Sequence, residues 1–424
     1  MSEILFLALA ALVIVNVPIA ISIGFATFIA IASSGKVPLF LVAQRMFTGM
    51  DSFPLLAIPL FMVAGVLMDR GGISKRLITL ATSIVGDVHG GLGIIAILAC
   101  MFFAAISGSA PATVVAIGTI MVPAMVQAGY SKPFSAALLA AAGTIGVVIP
   151  PSIPFVSYGV TMNVSIGKLF AAGILPGILM GVVLMAVCYC YCKKHGYGAG
   201  TQDRLPLWQA FRVAGWGIMM PVIILGGIYG GLFTPTEAAA VACVYSLFVG
   251  LFIYKELAVK EIITCFHTAA VPSAMVMLII ACATAMGWVM TTEQVPLKIT
   301  AALSALTNDK IVLLMIVNGI LLVTGCIMEI NASIILLGPI FAPLLLQYGI
   351  DPIHFGVIMV INLAIGLLTP PLGINLFVAN GLQRDVAFKD LVIGVLPMLG
   401  GLLLLLLFIT YIPEISLLLA DILG

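Results

Sequence analysis

A double proline occurs twice in the chain, each time in the middle of an apolar segment long enough to form a membrane helix. Pro150-Pro151 lies within GTIGVVIPPSIPF, and Pro370-Pro371 lies within AIGLLTPPLGINLF. The offset is 220 residues (370 − 150), and it also pairs Gly146 with Gly366. Because proline lacks an amide hydrogen and its ring clashes with the preceding turn, each pair predicts a broken helix. Two matched broken helices in apolar surroundings are typical of secondary transporters.

The composition is that of a membrane protein. Of 424 residues, 63% are hydrophobic and 8% are charged, and the mean hydropathy is +1.29, whereas a soluble domain carries about 25% charged residues. The apolar N-terminal run has no basic leading region and is too long for a signal peptide, so it predicts a first membrane helix. A net charge of +1 without a basic patch argues against nucleic acid binding.

The internal repeat predicts an all-α polytopic membrane protein with two structural repeats. The first, 1–192, is predicted to hold scaffold helices, a hairpin at about 92–128 and a broken helix at about 133–161. The second, 213–424, is predicted to hold scaffold helices, a hairpin at about 311–347 and a broken helix at about 353–380. Counting crossings leaves parallel and inverted repeats open. Inversion is favoured, because both halves then enclose one midplane site from opposite sides.

Each predicted hairpin is an apolar stretch with an interruption. The first is interrupted at 107–111 (SGSAP), and the second around Thr324-Gly325-Cys326. Arms of about 15 residues, or about 22 Å of helix, are too short to span a bilayer singly. The sequence therefore predicts re-entrant hairpins, whose tips survive at membrane depth only where protein buries them or they line a cavity.

The longest polar interruption is the linker 193–212, KKHGYGAGTQDRLPLWQAFR. It carries four Lys or Arg residues against one acidic residue, which predicts a cytoplasmic position; a solvated loop of either orientation is the alternative. Inverted repeats then place the N-terminus in the periplasm. Arg70, Lys75 and Arg76 fit this topology poorly, and we assign them to an interfacial amphipathic helix, ISKRLITLATSIV.

The two breaks are predicted to bind hard cations such as Na⁺. Where a helix unwinds inside the membrane, carbonyl oxygens lose their amide partners and become available to a cation, and glycine permits the dihedral angles this needs. The predicted residues of the first site are Ser107, Ser109, Gly146, Ile149, Pro150 and Ser152. Those of the second are Thr324, Gly325, Gly366, Thr369, Pro370 and Leu372. Proline kinks that bind no ion are the alternative.

Polar groups beside the breaks are the predicted substrate ligands. A carboxylate inside a membrane segment is costly and usually marks a transport pathway, which singles out Glu329; contact with water or with a helix N-terminus is its alternative role. The predicted substrate-binding residues are Ser107, Ser109, Pro151, Glu329, Asn331 and Asn375. Glu237, within TPTEAAA, is assigned a structural role in the first turn of a helix.

Enzyme signatures are absent from the sequence. It contains no HExxH, GxSxG or GxxxxGK[ST] motif. We therefore expect no enzyme activity, and uphill transport would draw on an ion gradient or on a separate ATPase. The eight cysteines do not form a disulfide framework, and the Cys188, Cys190 and Cys192 run lacks the ligand spacing of a metal site.

These residues resemble the large membrane subunit of a TRAP (tripartite ATP-independent periplasmic) transporter of the dicarboxylate and sialic acid type. The resemblance is carried by FFAAISGSAPATVVAIGTIMVPAM, GTIGVVIPPSIPFVSYGVTMNVSIGKLFAAGILPG and HFGVIMVINLAIGLLTPPLGINLF. It implies an elevator mechanism with two hairpins and two Na⁺ sites, Na⁺ being the coupling ion. It also implies a small four-helix membrane subunit, a periplasmic substrate-binding protein, and import of an organic acid across a bacterial inner membrane.

The substrate is the least specific part of the resemblance. The stretch YGVTMNVSIGKLF is similar to sialic acid members, which favours N-acetylneuraminate; C4-dicarboxylates and other sugar acids are the alternatives. The sequence offers no obvious intramembrane arginine for a carboxylate, so half-helix N-termini and hydroxyl groups would serve. A channel, or an ion-coupled transporter that works without a binding protein, is the alternative of another class.

Overall fold

The computed structural model describes residues 1–35, 37–198, 205–370, 373–383 and 385–423, and every regular element in these ranges is a helix. The α-helices are numbered α1 to α20 in chain order. The first half contains α1 (Ser2–Ile14), α2 (Ile19–Ser34), α3 (Phe40–Met50), α4 (Ala57–Arg70), α5 (Ile73–Val85), α6 (Gly91–Ser107), α7 (Ala110–Gln127), α8 (Lys132–Gly143), α9 (Ile153–Met162) and α10 (Ile166–His195). The second half contains α11 (Leu207–Tyr229), α12 (Pro235–Phe248), α13 (Val259–Thr292), α14 (Val295–Leu306), α15 (Lys310–Ile327), α16 (Ile330–Gln347), α17 (Pro352–Gly366), α18 (Ile374–Leu382), α19 (Phe388–Tyr411) and α20 (Glu414–Leu423).

Nine helical stretches in the described part of the chain are long and apolar enough to cross a membrane. The longest, α13, has 34 residues, or about 51 Å of helix, which exceeds the hydrocarbon thickness of a bilayer. At the C-terminal end of α10, Lys193, Lys194 and His195 lie in the last turn, where positive charge is favourable, and Gly196 ends the helix at a φ of 71°. The predicted all-α polytopic fold is confirmed.

The helix boundaries follow the 220-residue offset of the sequence. Helix α7 (110–127) and helix α16 (330–347) match at both ends, and the broken helices α8–α9 and α17–α18 occupy matching positions. Helix α10 continues to His195 and α11 begins at Leu207, so both ends of the predicted linker are helical, and residues 199–204 lie outside the described part.

The hairpin arms differ from the prediction in length. The four arms, α6, α7, α15 and α16, have 17 to 18 residues, or about 26 Å of helix, so the expected arms of about 15 residues were too short. The second break is also displaced. Helix α15 continues through Thr324 and Gly325 to Ile327, and the extended residues are Met328 and Glu329.

The two repeats are interleaved rather than stacked side by side. The second half of each broken helix packs against the second hairpin arm of the other repeat, α9 against α16 and α18 against α7. The helices that precede the hairpins pack mainly among themselves, with α13 against α2, α3 and α4, and α12 against α4. Helix α4 also packs against α6 and α9, and α13 packs against α16, so these early helices contact elements of both repeats.

Helix α5 connects the early helices to the first hairpin, and it is amphipathic as predicted. Its buried residues recur at helical spacing along one side, and it packs against α6 and α11. Arg76 donates to Glu256 at 2.7 Å and lies 3.7 Å above the ring of Tyr254. An acidic partner and an aromatic ring therefore surround this arginine in the folded chain.

Candidate functional site: two helix breaks

The first hairpin break is rich in hydroxyl groups. Helix α6 ends at Ser107, Gly108 adopts a φ of 63°, and Ser109 is extended. Ser107 Oγ lies 3.0 Å from Thr113 Oγ1, and Thr113 Oγ1 donates to the carbonyl oxygen of Ser109 at 2.9 Å. Thr113 was not predicted, although it follows Ser109 by four residues and so lies on the same face of the helix.

The first broken helix contacts this hairpin break at its glycine. After α8 the chain forms a short 3₁₀ segment, Thr144–Val147, and α9 begins only at Ile153. A Cβ atom on Gly146 would lie 2.8 Å from the carbonyl oxygen of Ser109, so the two backbones meet there. Ser152 donates to the carbonyl oxygen of Val147 and accepts from the amide of Phe155, which caps α9.

Two predicted members of the first site, Ser109 and Gly146, are in contact, and cation binding at this site stays a prediction. Ser107 and Ser109 come from the hairpin, while Gly146, Ile149, Pro150 and Ser152 come from the broken helix. Pro150 and Pro151 donate no amide hydrogen bonds. Carbonyl and hydroxyl oxygens are the ligands that hard cations prefer, and in the described part of the chain no group of three or more His, Cys, Asp or Glu side chains gathers as a softer metal site.

The second break is built on a contact between two glycines. Helix α17 ends at Gly366, and a Cβ atom on this residue would lie 2.5 Å from the carbonyl carbon of Gly325. Gly373 begins α18 with a φ of 55°. Pro371 and the predicted ligand Leu372 lie outside the described residues. Gly325, Gly366, Thr369 and Pro370 therefore belong to one region, where main-chain atoms approach each other closely.

Thr324 and Thr369 differ from the hydroxyl groups of the first break. The prediction that Thr324 lies in an unwound segment is wrong, because α15 continues past it and its hydroxyl donates to the carbonyl oxygen of Ile320 at 2.8 Å. Thr369 lies beyond the end of α17, and its hydroxyl donates to the carbonyl oxygen of Ile365 at 3.2 Å. Both hydroxyls therefore satisfy main-chain carbonyls of the preceding turn.

Glu329 caps the N-terminus of α16 and takes part in a chain of hydrogen bonds between the repeats. Its Oε2 accepts from the amide of Ala332 at 3.1 Å, and its Oε1 accepts from Nδ2 of Asn331 at 2.7 Å. Ser157 of α9 donates to Oδ1 of Asn331 at 2.8 Å. Both carboxylate oxygens thus have donors from the protein. Ser157 was not predicted, and nothing in its local sequence indicates this partner, which lies 174 residues away.

Asn375 and Pro151 are both buried, as are Ser107 and Asn331 among the other predicted substrate ligands. Asn375 has no exposed surface, its Nδ2 donates to the carbonyl oxygen of Ala140 at 3.1 Å, and its Oδ1 has no hydrogen-bond partner. Pro151 is buried, and its carbonyl oxygen would lie 2.8 Å from a Cβ on Gly108. Substrate contact through any of the six predicted residues stays a prediction.

Two further polar residues, Glu237 and His354, have polar partners within the protein. Thr234 and Glu237 form a capping box at the start of α12, with hydrogen bonds of 2.8 and 3.3 Å between each main-chain amide and the other side chain. The predicted structural role of Glu237 is confirmed. His354, in the first turn of α17, is buried at 3% exposure, and its Nε2 lies 3.3 Å from the carbonyl oxygen of Thr410.

The chain matches a family model over nearly its whole length. The model, described as "Tripartite ATP-independent periplasmic transporter, DctM component", matches residues 6–415. The chain is 50% identical over 414 residues to the isethionate TRAP transporter permease protein DctMQ of Oleidesulfovibrio alaskensis, covering 97% of this chain and 65% of that protein. The chain thus spans just under two thirds of the length of that relative.

Relatives of similar length are named for other substrates. The C4-dicarboxylate TRAP transporter large permease protein DctM of Pseudomonas aeruginosa is 45% identical over 384 residues, 90% of each chain. The sialic acid TRAP transporter large permease protein SiaM of Vibrio cholerae is 38% identical over 411 residues, 97% of this chain and 96% of that protein. Among solved structures, the YdaH transporter of Alcanivorax borkumensis matches with a TM-score of 0.64 at 17% identity, covering 90% of this chain and 86% of that chain. This last likeness concerns the fold alone.

Proposed function

The chain belongs to the DctM component family of the tripartite ATP-independent periplasmic (TRAP) transporters, and on this premise we propose that it imports an organic acid by coupling to Na⁺. The observation that carries the coupling is the pair of matched helix breaks. Each joins a hairpin to a broken helix through a glycine whose Cβ would overlap main-chain atoms. The close approach of main-chain groups at both breaks, together with the hydroxyls of the first break, suits a hard monovalent cation.

Two cations are proposed, one at each break. The first would use the oxygens of Ser107, Ser109 and Ser152 with main-chain carbonyls around Gly146. The second would rely on main-chain carbonyls from Gly366 to Thr369. Binding of Na⁺ would satisfy carbonyls left by the double prolines and would fix the hairpin tips, which prepares the site between them for the substrate.

The substrate class follows from the names of the relatives and from the polarity of the site. Isethionate, C4-dicarboxylates and sialic acid are all organic anions. Among the described residues the breaks themselves carry one carboxylate, Glu329, and both its oxygens are already occupied by internal donors. Repulsion of an anion by Glu329 is therefore reduced. We propose a small acid such as a C4-dicarboxylate or isethionate ahead of N-acetylneuraminate, because the more similar relatives carry those names.

The partners are proposed from the family and from the outer surface of the early helices. A periplasmic binding protein would deliver the substrate, and a small membrane subunit would pack at membrane level. Helix α1 and the segment around α3 expose large apolar side chains, among them Leu7, Ile14, Phe40 and Phe47, which suit such a contact. In this proposal the chain is a multi-pass protein of a bacterial inner membrane, with the N-terminus periplasmic and the linker cytoplasmic.

An elevator mechanism fits the division of the helices. The interleaved hairpins and broken helices would move as one body, while α2, α3, α4, α12 and α13 would form the fixed frame. Inverted repeats would then present the same site alternately to each side of the membrane. Helix α5 and helix α14, which precede the two hairpins, would be the connecting arms.

The test is uptake by proteoliposomes that contain the chain and its small subunit, with purified binding protein outside. An inward Na⁺ gradient should drive accumulation of labelled C4-dicarboxylate or isethionate, and omission of the binding protein should abolish it. Equal uptake in Na⁺-free buffer with only a proton gradient would remove the coupling proposal. Uptake that needs no binding protein would instead favour a stand-alone transporter. Inhibition of this uptake by unlabelled N-acetylneuraminate would favour N-acetylneuraminate as the substrate.

A further inference from the structure

Four buried polar residues form a continuous hydrogen-bonded group in the core of the second repeat, which we call the amide seam. Its members come from three helices: Asn318 of α15, His354 and Asn362 of α17, and Thr410 of α19. Asn362 Nδ2 donates to both the main-chain oxygen (3.0 Å) and Oδ1 (2.9 Å) of Asn318. Asn318 Nδ2 donates to Thr410 Oγ1 at 3.0 Å. All four side chains are at most 8% exposed.

The first repeat reaches the same helix arrangement without such a group. The residues 220 positions before Asn318, His354 and Asn362 are Leu98, Phe134 and Ala142, all apolar. The seam is also incompletely satisfied, because Asn362 Oδ1 and His354 Nδ1 have no hydrogen-bond partner. Buried polar atoms without partners cost stability. Stability of the helix packing alone therefore does not account for the seam, and polar groups inside membrane segments are usually functional.

The seam lies on the same helix interface as the glycine contact of the second break. Asn362 precedes Gly366 by four residues, one helical turn or about 6 Å along α17. Asn318 precedes Gly325 by seven residues, two turns or about 10 Å along α15. Gly325 and Gly366 touch through their backbones. The two amide hydrogen bonds and the glycine contact therefore fix α15 and α17 against each other at successive levels.

We infer that Asn318 and Asn362 are positioning residues for the second cation site. Their directional hydrogen bonds set the axial position of α17 against α15, and so they hold the unwound carbonyls beyond Gly366 in the geometry that binds Na⁺. The apolar interface of the first repeat needs no such device, because its break is held by the hydroxyl groups of Ser107 and Thr113. The inference rests on the proposed function, since it assigns the seam to the proposed cation site.

The experiment measures uptake against Na⁺ concentration in the reconstituted transporter with its small subunit and binding protein. The variants are Asn318→Leu, Asn362→Leu, the double variant, and Thr410→Val, which removes the acceptor of Asn318 while keeping a similar shape. Thr27→Val is the control, because Thr27 is equally buried and donates to its own helix at Ile23. Each seam variant should raise the half-saturating Na⁺ concentration by about fivefold or more, with maximal uptake recovered at high Na⁺. The double variant should be no worse than the stronger single variant.

A purely structural seam would give a different result. The melting temperature or the maximal uptake would then fall while the half-saturating Na⁺ concentration stayed at the wild-type value, and this outcome overturns the inference. So do additive effects of the two asparagine variants, because independent residues would not act as one unit. If the Asn362→Leu protein does not accumulate in the membrane, the half-saturating Na⁺ concentration of Thr410→Val tests the inference instead. Failure of the proposed function is distinguishable, since wild-type uptake would then already be independent of Na⁺, and the seam inference falls with it.

Discussion

The two helix breaks share a backbone pattern but are held together differently. In the first, Ser107, Ser109 and Thr113 form a cluster of oxygens around Gly146. In the second, Gly366 lies directly on Gly325, and the nearby Thr369 hydroxyl is used within its own turn. The two repeats therefore share the position of the unwound backbone but differ in the side chains around it. A site made mainly of side-chain oxygens and a site made mainly of carbonyls should respond differently to substitution.

The largest effect is expected from Gly366→Val. A Cβ atom here would lie 2.5 Å from the main chain of Gly325, and main-chain atoms cannot rotate away as a flexible side chain can. Overpacking of this kind typically costs about 1–3 kcal/mol, so Na⁺-driven uptake should fall by about fivefold to 150-fold. Gly319→Val is the control, because a Cβ on Gly319 meets open space. Wild-type uptake by Gly366→Val at matched expression would contradict a tight second break.

The next effect is expected from Ser107→Ala at the first break. The hydroxyl contacts Thr113 at 3.0 Å and is proposed to bind the cation directly, so its loss removes both a ligand and a support of the cluster. If an oxygen–cation contact contributes as much as a hydrogen bond to a charged group, about 1.5–3 kcal/mol, half-saturating Na⁺ should rise by about tenfold or more. Ser83→Ala, whose hydroxyl donates within α5, should leave this value unchanged. An unchanged value in Ser107→Ala would move the first site elsewhere.

A smaller effect is expected from Thr369→Ala at the second break. Its hydroxyl donates to Ile365, and the carbonyls that would bind the cation remain. The variant should therefore weaken cation binding by only about 0.5–1 kcal/mol. Half-saturating Na⁺ should rise by about two- to fivefold. Thr324→Ala should have no effect, because Thr324 lies within α15. A larger shift for Thr369→Ala than for Ser107→Ala, in the same Na⁺ titration, would reverse the proposed contrast between the two breaks.

The smallest effect is expected from Glu237→Gln. This residue caps α12 through its hydrogen bonds with Thr234, and α12 belongs to the helices that precede the second hairpin. We expect a slightly lower melting temperature in detergent and no change in the Na⁺ dependence of uptake. A shift in half-saturating Na⁺ would show that the contrast between the breaks extends into the surrounding helices.

The positions of the breaks in α8–α9 and α17–α18 could be predicted because proline disrupts a helix through its own covalent structure. The hydrogen-bond donor is missing in any environment, so Pro150 and Pro370 mark unwound positions without knowledge of their neighbours. The first hairpin break was also predictable, since Ser109 is a common helix-capping residue. The second was misplaced because α16 is capped by Glu329, which is a less common cap, and because Gly325 stays helical against Gly366.

Contacts between distant helices could not be predicted in the same way. Asn318 and Asn362 stand out as polar residues in apolar segments, but the pairing of their amides depends on how α15 packs on α17. Ser157 gave no signal of its own, because a serine in an apolar helix usually bonds to its own backbone, and Thr113 was indicated only by its spacing of four residues from Ser109. The candidate ligands were visible where local chemistry is unusual, and invisible where ordinary residues become important through packing.

The interleaving of the repeats has a consequence for synthesis. Ser157 forms a hydrogen bond with Asn331, which is synthesised 174 residues later. Ala140 accepts one from Asn375, which is synthesised 235 residues later. At about 5–20 residues per second the ribosome needs on the order of ten seconds or more to supply them. Over that interval the first broken helix sits in the membrane without the helix that will cover it. The nascent first half therefore has to persist as an unfinished, partly polar assembly in lipid, and its site is completed only when the last third of the chain arrives.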